Sequence, residues 1–158
     1  MEIPVLLLLF NRPKLTKKLI KRLQIIKPRK IYVNIDGPRY KYKNDKHLCR
    51  EVYKEVKKIN WKCKINIRKF DFNNGCRKSV KNAIDYFFSK EKFGIILEDD
   101  CIPSINFFVF CKKILKKYEN NNKIKSISGN NFQKNIKQYK YDYYFSKYMH
   151  CWGWATWR

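Results

Sequence analysis

The stretch Phe93-Gly94-Ile95-Ile96-Leu97-Glu98-Asp99-Asp100 predicts a buried β-strand that runs directly into three consecutive carboxylates. The chain has 13 acidic residues against 37 basic ones, so three adjacent acids concentrate negative charge at one point. Such a concentration is costly unless a cation lies beside it. Mg²⁺ or Mn²⁺ meets this need, because both prefer oxygen ligands and are usually shared with a phosphate. The competing interpretation is that the acids only favour the start of the next helix.

Apolar runs alternate with helical patterns along the rest of the chain. The predicted strands are Ile3–Phe10, Lys30–Asp36, a strand carrying Cys63, Ile65 and Ile67, the strand that delivers the carboxylates, Ile124–Ser128 and Tyr143–Ser146. Amphipathic helices are predicted between the first five strands, the fourth of them behind Pro103 and Ser104. This order predicts an α/β fold with a doubly wound, mostly parallel sheet, helices on both faces, and one domain over residues 1–158.

Polar side chains follow the predicted strands where each strand ends. In doubly wound sheets ligands bind at the carboxyl ends of the strands, near the point where the strand order reverses. Phosphate-binding motifs of the forms GxGxxG and GxxxxGK[ST] are absent from the sequence. The strand-end residues are Asn11 and Arg12, Asp36, Asn73 and Asn74, Glu98 to Asp100, and Asn130 and Asn131.

The formal net charge of +24 leaves three interpretations open. A Lys-, Asn- and Ile-rich composition with dispersed lysines indicates compositional drift and solubility. A phosphate-rich partner or an anionic membrane surface is the second interpretation, and nucleic acid the third and weakest. The apolar run Ile3–Phe10 lacks a basic flank and a small-residue cleavage site, and it is too short to span a bilayer. We therefore expect a cytoplasmic protein with peripheral contact to an anionic membrane as an option.

Several motifs in this order resemble the nucleotide-sugar transferases of the GT-A fold, especially the N-acetylglucosaminyltransferase I-like group and its bacterial relatives. The EDD-x-x-P-x-x-FF and WGWATW motifs are the most specific. The similar pieces are Pro4-Val5 through Asn11-Arg12-Pro13, Val33-Asn34-Ile35-Asp36-Gly37-Pro38, Asn74-Gly75-Cys76-Arg77, Ile95 to Ser104 with Phe107-Phe108, Ser126-Ile127-Ser128-Gly129-Asn130, and Trp152-Gly153-Trp154-Ala155-Thr156-Trp157-Arg158.

The resemblance implies a role for each matching residue. Asp100 matches the acid that contacts Mn²⁺ or Mg²⁺, and Glu98 and Asp99 match acids beside the ribose and sugar of the donor. The other residues implied to bind the nucleotide-sugar are Asn11 and Arg12 after the first strand, Asp36 at the uracil edge, and Arg77 near the diphosphate or sugar. Trp152 and Trp154 are implied to form an aromatic wall towards the sugar or acceptor. Core packing is the somewhat favoured alternative, and anchoring at a membrane interface is the third.

The resemblance implies a transferase that moves a sugar from a nucleotide-diphospho-sugar, with UDP as the expected nucleotide, to a glycan or lipid-linked acceptor. The sequence offers no clear general base after Asp100, since only Glu119 and Asp142 follow it. In the resembled enzymes the base lies beyond the tryptophan-rich segment, so we expect the acceptor part beyond residue 158 to be missing here. The alternatives are a donor-binding remnant without turnover and a basic nucleic-acid-binding module.

Overall fold

The structure is a computed structural model that describes residues 3–132 and 142–158. Strands and helices alternate as far as α4. The elements are β1 Val5–Leu9, α1 Pro13–Ile26, β2 Lys30–Ile35, α2 Asp45–Lys57, β3 Lys64–Lys69, α3 Cys76–Lys90, β4 Phe93–Glu98, α4 Ile105–Lys117, β5 Ile127–Ser128 and β6 Trp154–Trp157. Ser104 caps α4 as expected: its side chain accepts a hydrogen bond from the Phe107 backbone N–H.

Within the described residues, six strands form one open sheet in the order β3-β2-β1-β4-β6-β5. β1 to β4 pair in parallel, whereas β6 runs antiparallel to both of its neighbours. The predicted α/β class and mostly parallel sheet are therefore confirmed. The third strand, β3, lies at an edge of the sheet.

The two faces of the sheet bury different helices. Leu7 and Leu97 point to the face on which Leu19 of α1, Val52 of α2 and Phe108 of α4 pack. The alternate residues of the strands point to the opposite face, where α3 packs against the sheet. The cluster on that face contains Leu6, Ala83, Phe87, Phe88 and Ile96. Because strand side chains alternate between faces, this division follows directly from the register of the sheet.

The predictions for the last two strands needed correction. Ile124–Ser128 was expected as a strand, but only Ile127–Ser128 pairs in the sheet. The predicted strand Tyr143–Ser146 is wrong, because these residues are in irregular structure. The sixth strand is instead Trp154–Trp157, which inserts between β4 and β5. Its alternation places Ala155 in the core and leaves Trp154 and Trp157 partly buried.

No helix in the described ranges is both long enough and apolar enough to cross a membrane.

Candidate functional site

The strand order reverses between β1 and β4. From β1 the chain moves outward through β2 to β3 and then returns to the other side of β1 as β4. The crevice at the carboxyl ends of two such strands is where open α/β sheets bind ligands. Leu8 of β1 is in register with Glu98 of β4, so the residues that follow each strand emerge side by side. The reversal point therefore brings Arg12 next to the acidic triplet.

Arg12 joins the two aspartates of the triplet through a single nitrogen. Its Nη1 atom lies 3.0 Å from Oδ1 of Asp99 and 2.9 Å from Oδ2 of Asp100. Arg12 stands at the N-terminal end of α1, where its carbonyl oxygen accepts hydrogen bonds from the backbone N–H and the hydroxyl of Thr16. The helix start thus holds the backbone of Arg12 in place while its side chain reaches the end of β4. We call this arrangement the Arg12 bridge.

The carboxylates of the triplet lie in different surroundings. Burial raises the pKa of Asp99, and the positive charge of Arg12 and a backbone hydrogen bond with Phe10 oppose that rise. Burial also raises the pKa of Glu98, and the neighbouring Asp100 and Asp99 raise it further. Glu98 is in register with Leu8, so its side chain points to the face covered by α3. The site therefore offers acidic groups on both faces of the sheet end.

The triplet fits a divalent cation only if a ligand completes the coordination. Among residues 3–132 and 142–158, no group of three or more His, Cys, Asp or Glu side chains is arranged to hold a metal ion. Asp100 is half exposed and supplies hard carboxylate oxygens. Mg²⁺ and Mn²⁺ commonly bind through one or two carboxylates together with substrate phosphates. These carboxylate ligands therefore suit a cation that is shared with a diphosphate. When no cation is bound, the positive charge of Arg12 balances the carboxylates of Asp99 and Asp100.

Asp36 is buried and holds two loops together. Its Oδ1 atom accepts hydrogen bonds from the backbone N–H of Gly37 and of Asn74, each at 3.0 Å, and from the Asn74 side chain at 3.3 Å. Its Oδ2 atom accepts one from Asn73 at 3.0 Å. Asp36 thus joins the turn after β2 to the loop before α3, and its remaining capacity to accept a hydrogen bond lies mainly on Oδ2.

A second charged cluster beside the crevice was missed by the sequence analysis. Asp45, the first residue of α2, is buried and accepts hydrogen bonds from Nε of Arg39 at 2.6 Å and from the side chain of Asn11 at 2.8 Å. The Arg39 guanidinium also lies 3.7 Å from the centroid of the Tyr42 ring. Hydrogen bonds from Arg39 and Asn11 lower the pKa of Asp45 to about 2, against the opposing effect of burial. The only sequence signal was an acid at a helix start.

Asn11 follows β1, and its side-chain amide donates a hydrogen bond to Asp45. Arg77 is exposed in the first turn of α3. Trp154 packs partly buried against the cluster under α3, whereas Trp152 is 63% exposed and contacts Phe132 edge to face. Packing thus accounts for Trp154, and Trp152 is the tryptophan of this pair that remains open to a ligand.

The chain is thus an α/β protein with clustered charged side chains at the reversal point of an open sheet. No known family model matches the sequence, and no curated protein is significantly similar to it.

Proposed function

We propose that this chain is a doubly wound GT-A domain of a metal-dependent glycosyltransferase that binds a nucleotide-diphospho-sugar. The Arg12 bridge is the observation that carries the proposal. It joins groups 87 and 88 residues apart in the sequence, at the position where sheets of this type bind ligands. The expected donor is a UDP-sugar, and the expected acceptor is a glycan or a lipid-linked acceptor.

The charges of the crevice suit a nucleoside diphosphate. Asp100 would hold Mn²⁺ or Mg²⁺ together with the phosphates, and the bound ion would supply positive charge that stabilises the departing diphosphate. Arg12 is 54% exposed at its side chain, so its guanidinium can turn from the aspartates towards a phosphate oxygen. Asp99 is buried and orients Arg12. The net charge of +24 attracts anionic donors and suits peripheral contact with an anionic membrane, which is consistent with a cytoplasmic site of action.

Three further side chains have separate tasks in this proposal. Glu98 faces α3 and is available to the hydroxyl groups of the ribose or sugar, since none of the side-chain hydrogen bonds in the described ranges involves it. Asp36 keeps the loop of Asn73 and Asn74 against the turn after β2. This contact would shape the end of the crevice where the uracil of the donor is expected to bind. Arg77 in the first turn of α3 is a further cation for the donor.

Thermal unfolding with UDP and Mn²⁺ tests the proposal. A ligand present at 100 times its dissociation constant stabilises a folded domain by about 2.7 kcal/mol. UDP with Mn²⁺ is therefore expected to raise the melting temperature more than UDP with EDTA. Asp100→Asn should remove the Mn²⁺-dependent part of this shift. Asp85→Asn is the matched control, because Asp85 is an exposed acid on α3 that pairs with Lys81.

Two other outcomes would point to the alternatives. Binding of a DNA or RNA oligonucleotide that weakens steeply with salt and ignores Mn²⁺ would indicate a nucleic-acid-binding module and contradict the proposal. Binding of a UDP-sugar and Mn²⁺ without release or transfer of the sugar would indicate a donor-binding remnant. An equal shift in Asp100→Asn and in the unmodified protein would remove the metal role from Asp100.

A further inference from the structure

The two aspartates of the Arg12 bridge differ in solvent exposure. The side chain of Asp99 is 8% exposed, whereas that of Asp100 is 51% exposed. Leaving a buried carboxylate without a partner is costly, but an exposed ion pair contributes little to stability. Arg12 is therefore anchored by Asp99, and its bond with Asp100 is the one that breaks at low cost.

The guanidinium of Arg12 has donors left over. Both ion-pair contacts use Nη1, and among residues 3–132 and 142–158 neither Nε nor Nη2 of Arg12 makes a hydrogen bond. A guanidinium presents its N–H groups in a planar fork that matches two phosphate oxygens. The same side chain can thus stay close to Asp99 and bind an anion on its open edge.

We infer that Arg12 is a built-in competitor of the divalent cation. Without nucleotide, its guanidinium occupies the carboxylate of Asp100; when a nucleoside diphosphate binds, the guanidinium turns to the phosphates and frees Asp100 for Mn²⁺ or Mg²⁺. The inference rests on the proposed function and adds a binding order to it. The diphosphate binds first and frees Asp100 for the metal ion. Metal and nucleotide should then bind with positive coupling, part of which passes through Arg12.

Removing the guanidinium should have opposite effects on the two ligands. Arg12→Gln is expected to bind Mn²⁺ more tightly in the absence of nucleotide, by about fivefold, which corresponds to the upper range for an exposed ion pair. The same variant should bind UDP more weakly in EDTA, because the phosphates lose a cation. A purely structural role for Arg12 would not raise the affinity for Mn²⁺.

The experiment measures free Mn²⁺ by electron paramagnetic resonance during titration of the protein, and UDP affinity by calorimetry in EDTA. Arg50→Gln is the matched control. It removes the same charge from an exposed position on α2, where the Arg50 side chain makes no hydrogen bond or ion pair with any other described residue. We expect the control to leave both affinities unchanged. Circular dichroism verifies that each variant is folded.

If Arg12→Gln is recovered unfolded, Arg12→Lys replaces it. A lysine side chain ends nearer the backbone than an arginine and lacks the planar fork, so we expect it to keep the contact with Asp99 and to hold Asp100 less well. Arg12→Lys is therefore also expected to bind Mn²⁺ more tightly than the unmodified protein. Unchanged nucleotide-free affinity for Mn²⁺ in the folded variant overturns the inference. If the unmodified protein still binds Mn²⁺ with UDP in that case, the proposed function stands. If neither the unmodified protein nor any variant binds Mn²⁺, with or without UDP, both the inference and the proposed function are overturned.

Discussion

Asp45 provides the sharpest prediction for stability, because its carboxylate is buried and ionised beside the crevice. Its side chain is 3% exposed and accepts hydrogen bonds from Arg39 and Asn11. These bonds lower the pKa of Asp45 from 3.8 to about 2. A shift of this size corresponds to about 2.5 kcal/mol of stability when each pKa unit is about 1.4 kcal/mol. Arg39 is 40% exposed and water screens the pair, so we expect Asp45→Asn to cost about 1 to 2 kcal/mol at neutral pH.

The lowered pKa of Asp45 also fixes the direction in which the stability difference changes with pH. Because folding lowers the pKa of Asp45, the folded state binds fewer protons than the unfolded state between pH values of about 4 and 2. The stabilisation is therefore complete above the unfolded pKa and is lost as the pH falls through the folded one. The difference in unfolding free energy between the unmodified protein and Asp45→Asn should be constant at neutral and weakly acidic pH, and should shrink once the pH drops below about 4.

Urea unfolding followed by tryptophan fluorescence measures this difference at each pH. Asp85→Asn again serves as the control, since Asp85 is 58% exposed and its pair with Lys81 lies on the surface of α3. We expect no measurable change for Asp85→Asn. The reasoning is refuted if Asp45→Asn is no less stable than Asp85→Asn at neutral pH. It is also refuted if the deficit of Asp45→Asn does not shrink as the pH falls below 4.

Two further substitutions test how the crevice is built. Gly37→Ala should lower the melting temperature markedly, because the added Cβ would lie 2.3 Å from the carbonyl oxygen of Phe72, which is backbone and cannot turn away; an unchanged melting temperature would show that the two loops separate freely. Asp36→Ala should cost about 1 to 3 kcal/mol in urea unfolding, because the buried N–H of Gly37 and the partly buried N–H of Asn74 lose their acceptor; a loss below about 0.5 kcal/mol would contradict the structural role of Asp36.

The strands and helices up to α4 could be predicted because their signals are local. The apolar run before Glu98 and the cap at Ser104 depend on residues within one turn or one strand, and both were located correctly. The convergence of Arg12 with the triplet was also predictable in outline, since carboxyl ends of parallel strands share one edge of the sheet. The last strand was not predictable in the same way, because a short antiparallel insertion between β4 and β5 leaves no local signal of its position.

The amino-acid sequence alone determined the alternation of strands and helices, the acidic triplet and its place at a strand end, because periodicity and strand-end chemistry are properties of neighbouring residues. The tertiary structure decided which partner each charged group has. Arg12 donates hydrogen bonds to Asp99 and Asp100, and Asn11 donates one to Asp45. Asp36 accepts hydrogen bonds from the loop before α3. These pairs join residues 34 to 88 positions apart, so only the packing of the sheet and its loops can bring them together.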